Sequence, residues 1–258
     1  MILRQLLTLA LFAGFSNTTY AVTNMAATGD SITSGYPEIG CARGKQKYGG
    51  YAKYLEPKLD SSGWATTLYN YGIEGDRAEW AYKPADRHCD DENWSHNGQS
   101  IRHNQLAVAL ARSPKPEYML YLFGTNGLGH YSAPTVMAYI KIGINQILDA
   151  GVIPIVGTIL PDTRSKGDIK DITGANSLLR TWLNSIDVQI AEFYYATSNN
   201  GWKGMMSDGL HPDNDGRRFM ADIWFGALNE DKEKKAAARR TRIAGSLNGP
   251  YLLLLLDD

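Results

Sequence analysis

The run Tyr118-Met119-Leu120-Tyr121-Leu122-Phe123, which stops at Gly124, decides the fold class of this chain. A short apolar segment that ends at a turn residue is typical of a strand buried on both faces of a sheet. Three further segments have the same character and cover residues 25–28, 65–71 and 152–160. Since helical patterns separate these segments, we predict βαβ crossovers and a mainly parallel sheet with helices on both faces.

The connecting segments have the periodicity of helices. They cover residues 48–59, 100–112, 134–150, 176–193 and 215–228. One position conflicts with a regular strand, because Pro154 lies inside the segment 152–160 and a proline nitrogen cannot donate to a ladder. We therefore expect a sheet edge or a bulge at Pro154.

The composition of the 258 residues is that of an ordinary globular chain and restricts its partners. Hydrophobic residues make up 43% and charged residues 21%, which excludes disordered, collagen-like and coiled-coil chains. The 26 Lys plus Arg residues nearly balance the 27 Asp plus Glu residues, so no positive field attracts a nucleic acid. No paired-cysteine motif suggests structural zinc, and we expect neither a metal nor a cofactor.

Residues 1–21 have the pattern of a secretory signal peptide. Arg4 precedes an apolar run over residues 6–15, and Thr19-Tyr20-Ala21 offers small residues at both positions read by a signal peptidase. A membrane-spanning helix needs about 20 apolar residues, so this run is too short for a stable span. We expect cleavage near Ala21 and a secreted or periplasmic mature protein.

Residues 230–258 look like an extension of a domain that covers residues 22–229. The extension is rich in charge and alanine and carries Tyr251 followed by five leucines near its end. We interpret its basic cluster as a solvated helix face, and a weak role at a membrane surface is the alternative. The cluster consists of Arg239, Arg240 and Arg242.

Reactive groups follow the predicted strands at the edge where the carboxyl ends of parallel strands meet. Ser31 follows the first strand, and Asp208-Gly209-Leu210-His211-Pro212 precedes the last helix. A serine hydroxyl becomes a nucleophile when a base takes its proton, and histidine suits that task near neutral pH. We predict Ser31 as the nucleophile, His211 as the base and Asp208 as the carboxylate that orients the imidazole.

The same edge supplies donors for the oxyanion of a tetrahedral intermediate. We predict the backbone N–H groups of Ser31 and Gly72 and the side-chain amide of Asn126. Gly72 follows the second strand and Asn126 follows the third, so both reach the edge that carries Ser31. These donors and the Ser31, His211 and Asp208 side chains together are the parts of an acyl-transfer site.

These motifs together resemble the SGNH or GDSL hydrolase family. The matching positions are Ser31 in GDSI, Gly72 in NYGIEG, Asn126 in GTN and His211 in DGLHP, in the family's order across about residues 27–228. The resemblance implies a flavodoxin-like three-layer α/β/α sandwich that hydrolyses ester bonds of acyl lipids, acetylated sugars or small aryl esters. The family commonly has aspartate after the asparagine, where this chain has Gly127.

Several functions remain open within and beyond this family. An exported serine esterase acting through an acyl-enzyme is the main hypothesis, with a carbohydrate O-acetylesterase or a lysophospholipase as alternatives. The substrate is then a small-molecule, lipid or acylated-carbohydrate ester. A binding module that keeps the cleft but has lost turnover is the hypothesis from a different class.

A long insertion over residues 76–97 follows the second strand. We predict Trp80 and Tyr82 in this insertion, together with His130, as residues of the substrate cleft. A small core under the insertion is the alternative role for its aromatic side chains. In an oxidising compartment a Cys41–Cys89 disulfide would fasten the insertion, with two buried thiols as the alternative.

Overall fold

The computed structural model describes most of the chain after the predicted signal peptide. The described residues are 22–39, 42, 44–46, 49–82, 95–96, 99–100, 104–164, 171–198 and 201–247. The predictions for residues 1–21, for Cys41 and Cys89, for the side chain of Arg242 and for the run of leucines concern positions outside this description.

A six-stranded sheet forms the centre of the molecule, and five of its strands are parallel. In chain order the strands are β1 (Thr23–Gly29), β2 (Lys45–Gln46), β3 (Thr66–Asn70), β4 (Ser95–His96), β5 (Gln99–Ser100), β6 (Tyr118–Leu122), β7 (Ile153–Gly157) and β8 (Gln189–Ala191). The spatial order is β2-β3-β1-β6-β7-β8, with β2 antiparallel to β3. Strands β4 and β5 form a separate antiparallel pair.

Helices cover both faces of this sheet. In chain order they are α1 (Ser31–Ser34), α2 (Ala52–Ser61), α3 (Gln105–Leu110), α4 (Thr125–Leu128), α5 (Ala133–Asp149), α6 (Ile172–Ser185), α7 (Phe193–Ser198) and α8 (Asn214–Leu247), with a 3-10 helix at Trp202–Met205. The predicted three-layer α/β/α fold is therefore confirmed.

Strand β6 shows why its sequence is apolar at every position. Met119 and Tyr121 point into a core cluster shared with α3, α5 and α6. Leu120 and Leu122 belong to a second cluster on the opposite face, shared with α2 and α8. Because both faces of the strand are buried, alternation with polar residues is absent.

The expected sheet edge or bulge at Pro154 is wrong, because Pro154 lies in β7, between β6 and β8. The Ile153 N–H donates toward β6, to the Glu117 carbonyl at 2.9 Å. The next residue faces the opposite side, and pairing with β8 begins only at Ile155. The proline nitrogen thus sits where β7 has no partner on that side.

The helix predicted over residues 176–193 is wrong at its end. Helix α6 stops at Ser185, and Asp187 turns the chain with a φ of 53° into the short strand β8. Leu183, Ile186 and Ile190 keep helical spacing in the sequence, which explains the error.

The last helix runs through the predicted boundary at residue 229. Helix α8 has 34 residues, and its middle is attached to the sheet. The Tyr118 hydroxyl donates to Asp231 at 3.1 Å, and Gln189 exchanges hydrogen bonds with Glu230 and Lys234. The described side chains after Lys235 are exposed or half-buried. Within the described ranges, no helix combines the length and the apolar character that crossing a bilayer requires.

Candidate active site

Ser31 is the first residue of α1, directly after the carboxyl end of the central strand β1. Asp30 caps this short helix, with its Oδ1 accepting from the Ile32 N–H at 3.0 Å. Because the cap takes the second N–H of the helix, the N–H of Ser31 itself has no acceptor among the described residues. Ser31 is 4% exposed, so its hydroxyl sits in a recess rather than on an open surface.

A chain of hydrogen bonds joins the predicted nucleophile, base and carboxylate. The distance from Ser31 Oγ to His211 Nε2 is 2.9 Å, and His211 Nδ1 lies 2.7 Å from Asp208 Oδ2. An ionised carboxylate can only accept, so Nδ1 carries the proton and donates to Asp208. In the neutral ring Nε2 is then an acceptor for the serine hydroxyl, which is the arrangement that general-base catalysis requires.

Asp208 is held ionised by the loop that it organises. Burial works against the charge, but the His211 imidazole and the backbone N–H groups of His211 and Leu210 donate to the carboxylate and outweigh it. The pKa of Asp208 falls to about 2. The side chain therefore stays an acceptor across the pH range in which His211 could act as a base.

Asn126 lies at the same edge, in the first turn of α4. Its Nδ2 donates to the Asp76 carbonyl at 3.0 Å, which fixes the amide and leaves its second N–H for another acceptor. Gly127 is buried, and a Cβ there would lie 3.1 Å from the Val136 side chain. An aspartate at position 127 would therefore meet an apolar neighbour in this chain.

The structure contradicts the assignment of Gly72 as an oxyanion donor. Its N–H donates to Asn70 Oδ1 at 2.9 Å. The glycine is required instead by packing, since a Cβ at this position would lie 2.3 Å from the backbone nitrogen of Ser34. Gly72 lets β3 approach α1, and its N–H is already engaged by the Asn70 side chain.

Gly75, which the sequence pattern does not single out, has a backbone that would suit an oxyanion donor. Its φ of 71° lies in the left-handed region, and it directly precedes Asp76, whose carbonyl holds Asn126. The part of the chain that the structure describes offers no acceptor for its N–H. The NYGIEG block contains both glycines, and pattern alone did not distinguish them.

A buried polar network connects the end of β1, next to Ser31, with Asp76. Gln105 exchanges two hydrogen bonds with the Gly29 backbone at 3.0 and 2.9 Å and donates to the Asp76 carboxylate. Asp30 is 1% exposed, and its Oδ2 has no partner among the described atoms. Burial raises the pKa of Asp30 to about 7. The negative charge of Asp76 raises this pKa further, while the hydrogen bond from the Ile32 N–H lowers it. No pattern in the sequence points to Gln105, because its role depends on the position of α3.

The predicted cleft residues lie near this edge but are mostly engaged in packing. The Arg77 guanidinium covers the Trp80 ring at 4.0 Å, and Tyr82 packs against the core cluster on the α5 face. Arg77 also donates to the Tyr131 hydroxyl at 3.2 Å, which ties this loop to the Asn126 loop. His130 is exposed. The Arg77 guanidinium thus contacts Trp80 and the core cluster contacts Tyr82, while both substrate contact and a small core under the insertion remain predictions.

The described residues contain no group of His, Cys, Asp or Glu side chains arranged to hold a metal ion. The predicted disulfide partners Cys41 and Cys89 lie in the parts of the chain that are not described. At Ser31 the structure shows a hydroxyl within hydrogen-bond distance of an imidazole, which in turn contacts a carboxylate.

Fold and site together define an α/β protein with a serine at the carboxyl edge of a parallel sheet, the arrangement of many hydrolases. A model of the GDSL-like Lipase/Acylhydrolase family matches residues 27–219. The chain belongs to this family, and membership implies ester hydrolase activity on small ester substrates. No curated protein matches the sequence significantly.

Solved structures share this fold at low sequence identity. A carbohydrate esterase family 3 protein from Talaromyces cellulolyticus is 19% identical, with a TM-score of 0.58 over 82% of this chain and 99% of its own. A lipolytic G-D-S-L family protein from Veillonella parvula is 19% identical, with a TM-score of 0.56 over 81% and 99%. A catalytic mutant of an acetylxylan esterase from Geobacillus stearothermophilus is 12% identical, with a TM-score of 0.57 over 80% and 94%.

Proposed function

We propose that this protein is an exported serine esterase that hydrolyses carboxylic esters through an acyl-enzyme. The observation that carries the proposal is the continuous contact from Ser31 Oγ through the His211 ring to Asp208, at 2.9 and 2.7 Å. A hydroxyl, an imidazole and a carboxylate in this order form the catalytic triad of serine hydrolases. Family membership supports the same reaction class.

The first half of the reaction acylates the serine. Nε2 of His211 takes the hydroxyl proton while Ser31 Oγ attacks the ester carbonyl carbon. The resulting imidazolium is stabilised by Asp208 and then gives its proton to the departing alkoxide, which leaves as the alcohol. Water attacks the acyl-enzyme with His211 again as the base, which releases the acid and restores the serine hydroxyl.

Three donors at the edge of the sheet stabilise the negative oxygen of each tetrahedral intermediate. We assign them to the Ser31 N–H, the second N–H of the Asn126 amide and the Gly75 N–H. The unclaimed position of Ser31 in α1 and the fixed amide of Asn126 support this assignment. Loss of one donor of this kind costs about 2.7–4 kcal/mol of transition-state stabilisation.

The decisive test compares hydrolysis of an aryl acetate by the wild type, Ser31→Ala and His211→Ala. We expect each substitution to lower kcat by at least about 10³-fold, because nucleophile and base act as one unit. A phosphonate that modifies activated serines should label Ser31 in the wild type only. Ser61→Ala, at an exposed serine on α2, is the matched control and should leave kcat unchanged.

Equal rates in the wild type and both variants, with no label on Ser31, would refute the esterase and favour a binding module. If turnover is established, a series of acyl lengths together with acetylated xylan would rank the substrates. Preference for the acetylated polysaccharide would support the carbohydrate O-acetylesterase alternative. Two of the structural neighbours carry that type of name, and at their identity they support the fold alone.

A further inference from the structure

Arg217, in the first turns of α8, makes an unusual set of contacts for an arginine. Its side chain is only 4% exposed. Nη1 donates to Glu38 at 2.8 Å, and Nη2 donates to the carbonyls of Gly35 and Tyr36 at 3.1 and 3.0 Å. Burying a guanidinium is costly unless its donors are paired. Nη1 and Nη2 are both paired, which fixes the side chain, whereas Nε has no partner among the described atoms.

The two carbonyls belong to the turn that ends the nucleophile helix. The N–H groups of Gly35 and Tyr36 both donate to the Ser31 carbonyl at 3.0 Å. The Tyr36 ring packs on the His211 imidazole, with ring centroids 4.6 Å apart. The turn that Arg217 holds thus contacts the predicted nucleophile through its backbone and the predicted base through its ring.

The backbone of Arg217 is hydrogen-bonded to the segment that follows His211. The Arg217 N–H donates to the Asp213 carbonyl at 2.9 Å, and Asp213 Oδ1 caps α8 by accepting from the N–H groups of Asp215 and Gly216. Asp213 itself lies two residues after His211. Any movement of the start of α8 is therefore transmitted over a short, hydrogen-bonded path to the imidazole.

We propose that Arg217 is a positioning residue that sets the distance between Ser31 Oγ and His211 Nε2. The inference rests on the proposed esterase activity and adds a residue that touches neither substrate nor the reacting atoms. The planar fork of arginine reaches two carbonyls and a carboxylate at once. Lysine keeps the charge but lacks the fork, so it cannot hold the same geometry.

The experiment measures kcat and KM of Arg217→Lys for an aryl acetate, alone and in a His211→Ala background. We expect kcat to fall by about 10- to 100-fold with KM within about 2-fold, because misalignment affects the chemical step. In the His211→Ala background, where no base remains to be aligned, Arg217→Lys should change the residual rate by less than about 2-fold. Arg218→Lys, at the neighbouring exposed ion pair with Asp215, is the matched control and should behave as the wild type.

An activity-independent readout separates this proposal from the esterase assignment. The ¹⁵N chemical shift of His211 Nε2 depends on the hydrogen bond from the serine hydroxyl. In Arg217→Lys this shift should move toward its value in Ser31→Ala. If the wild type shows no turnover, the proposed function fails while the Nε2 shift still decides the role of Arg217.

Three results would overturn the role of Arg217: wild-type kcat in Arg217→Lys, an equal loss in the His211→Ala background, or an unchanged Nε2 shift. If Arg217→Lys does not fold, as judged by circular dichroism, Glu38→Ala takes its place. The Glu38 side chain is 55% exposed, so its removal spares the core. Glu38→Ala should lower kcat by about 2- to 5-fold through loss of the guanidinium's anchor, and an unchanged kcat would overturn the proposal.

Discussion

Both carboxylate oxygens of Asp208 are engaged by hydrogen bonds, so the effect of changing this side chain can be worked out atom by atom. One oxygen accepts two backbone N–H groups of its own loop, and the other accepts Nδ1–H of His211. An asparagine could keep the backbone contacts through its carbonyl oxygen. Its NH₂ group would then face Nδ1 and favour the tautomer with the proton on Nε2, where it blocks proton transfer from Ser31.

We therefore expect Asp208→Asn to lower kcat by about 10²- to 10⁴-fold while the melting temperature changes little. Steady-state kinetics and thermal unfolding on the same preparation check both parts. A large loss of stability accompanying the loss of rate would show that the carboxylate serves the loop more than the imidazole.

Asp30 illustrates a cost of placing the predicted nucleophile, Ser31, directly after a buried strand end. Its folded-state pKa of about 7 lies above the usual 3.8, so the folded protein binds the proton more tightly than the unfolded chain does. Stability is then greatest below about pH 4 with respect to this group and falls as pH rises toward 7. An upward pKa shift of about three units corresponds to a loss of roughly 4 kcal/mol in the free energy of unfolding once the pH is above the folded-state pKa.

Asp30→Asn should remove this pH dependence, since the amide oxygen can still accept from the Ile32 N–H. We expect the variant to be more stable than the wild type at pH 8 and to lose that advantage at pH 4. Urea unfolding at the two pH values measures the difference. Parallel pH profiles for the two proteins would show that folding leaves the pKa of Asp30 near its usual value.

For individual residues, the sequence predicts reactive side chains better than it predicts which backbone N–H groups are free to donate. Ser31, His211 and Asp208 were placed by the chemistry of their side chains, and the structure brings them into contact. Gly72 was chosen because it follows a strand, yet whether its N–H is free depends on the Asn70 side chain. Gln105 and Arg217 contact the site only through tertiary packing, which sequence spacing does not report.

Among the elements, strands buried on both faces were predicted well because burial on two sides leaves an uninterrupted apolar run. Strand β6 is the clearest case. Strand β8 has three residues and follows a helix whose apolar spacing continues through it, so local pattern favoured helix. Only its pairing with β7 makes it a strand.

Helix α8 divides into a part that packs on the sheet and a part that does not. Truncation after Ala236 keeps the contacts of Asp231 and Lys234 and should change the melting temperature by less than about 2 °C. Truncation after Asn229 leaves buried Tyr118 and Gln189 without these partners. Two such losses of about 1 kcal/mol each should lower the melting temperature by about 4–8 °C.

Thermal unfolding of the two truncated proteins beside the full chain tests this division. Both truncations remove the basic cluster at Arg239 and Arg240, so any difference between them comes from residues 230–236. Equal melting temperatures in all three proteins would mean that the sheet does not depend on the extension at all.

For the molecule as a whole, we propose export with cleavage after Ala21. Strand β1 starts at Thr23 and pairs with β3 and β6 on its two sides, so a cut after Ala21 leaves the centre of the sheet intact. Expression of the full chain in a Gram-negative host should yield a periplasmic protein whose N-terminal sequence is Val22-Thr23-Asn24. A mature N-terminus beyond Met25, or retention of residues 1–21, would contradict this prediction.

The contact between Ser31 and His211 joins positions 180 residues apart in the chain. Contacts of such long sequence separation form late in folding, because the intervening strands must assemble before the ends meet. A chain still being synthesised, or any fragment that ends before Asp208, carries the serine without its base. If Ser31 and His211 act as proposed, the serine is not activated until the whole sheet has assembled, and the appearance of esterase activity would report the completion of folding.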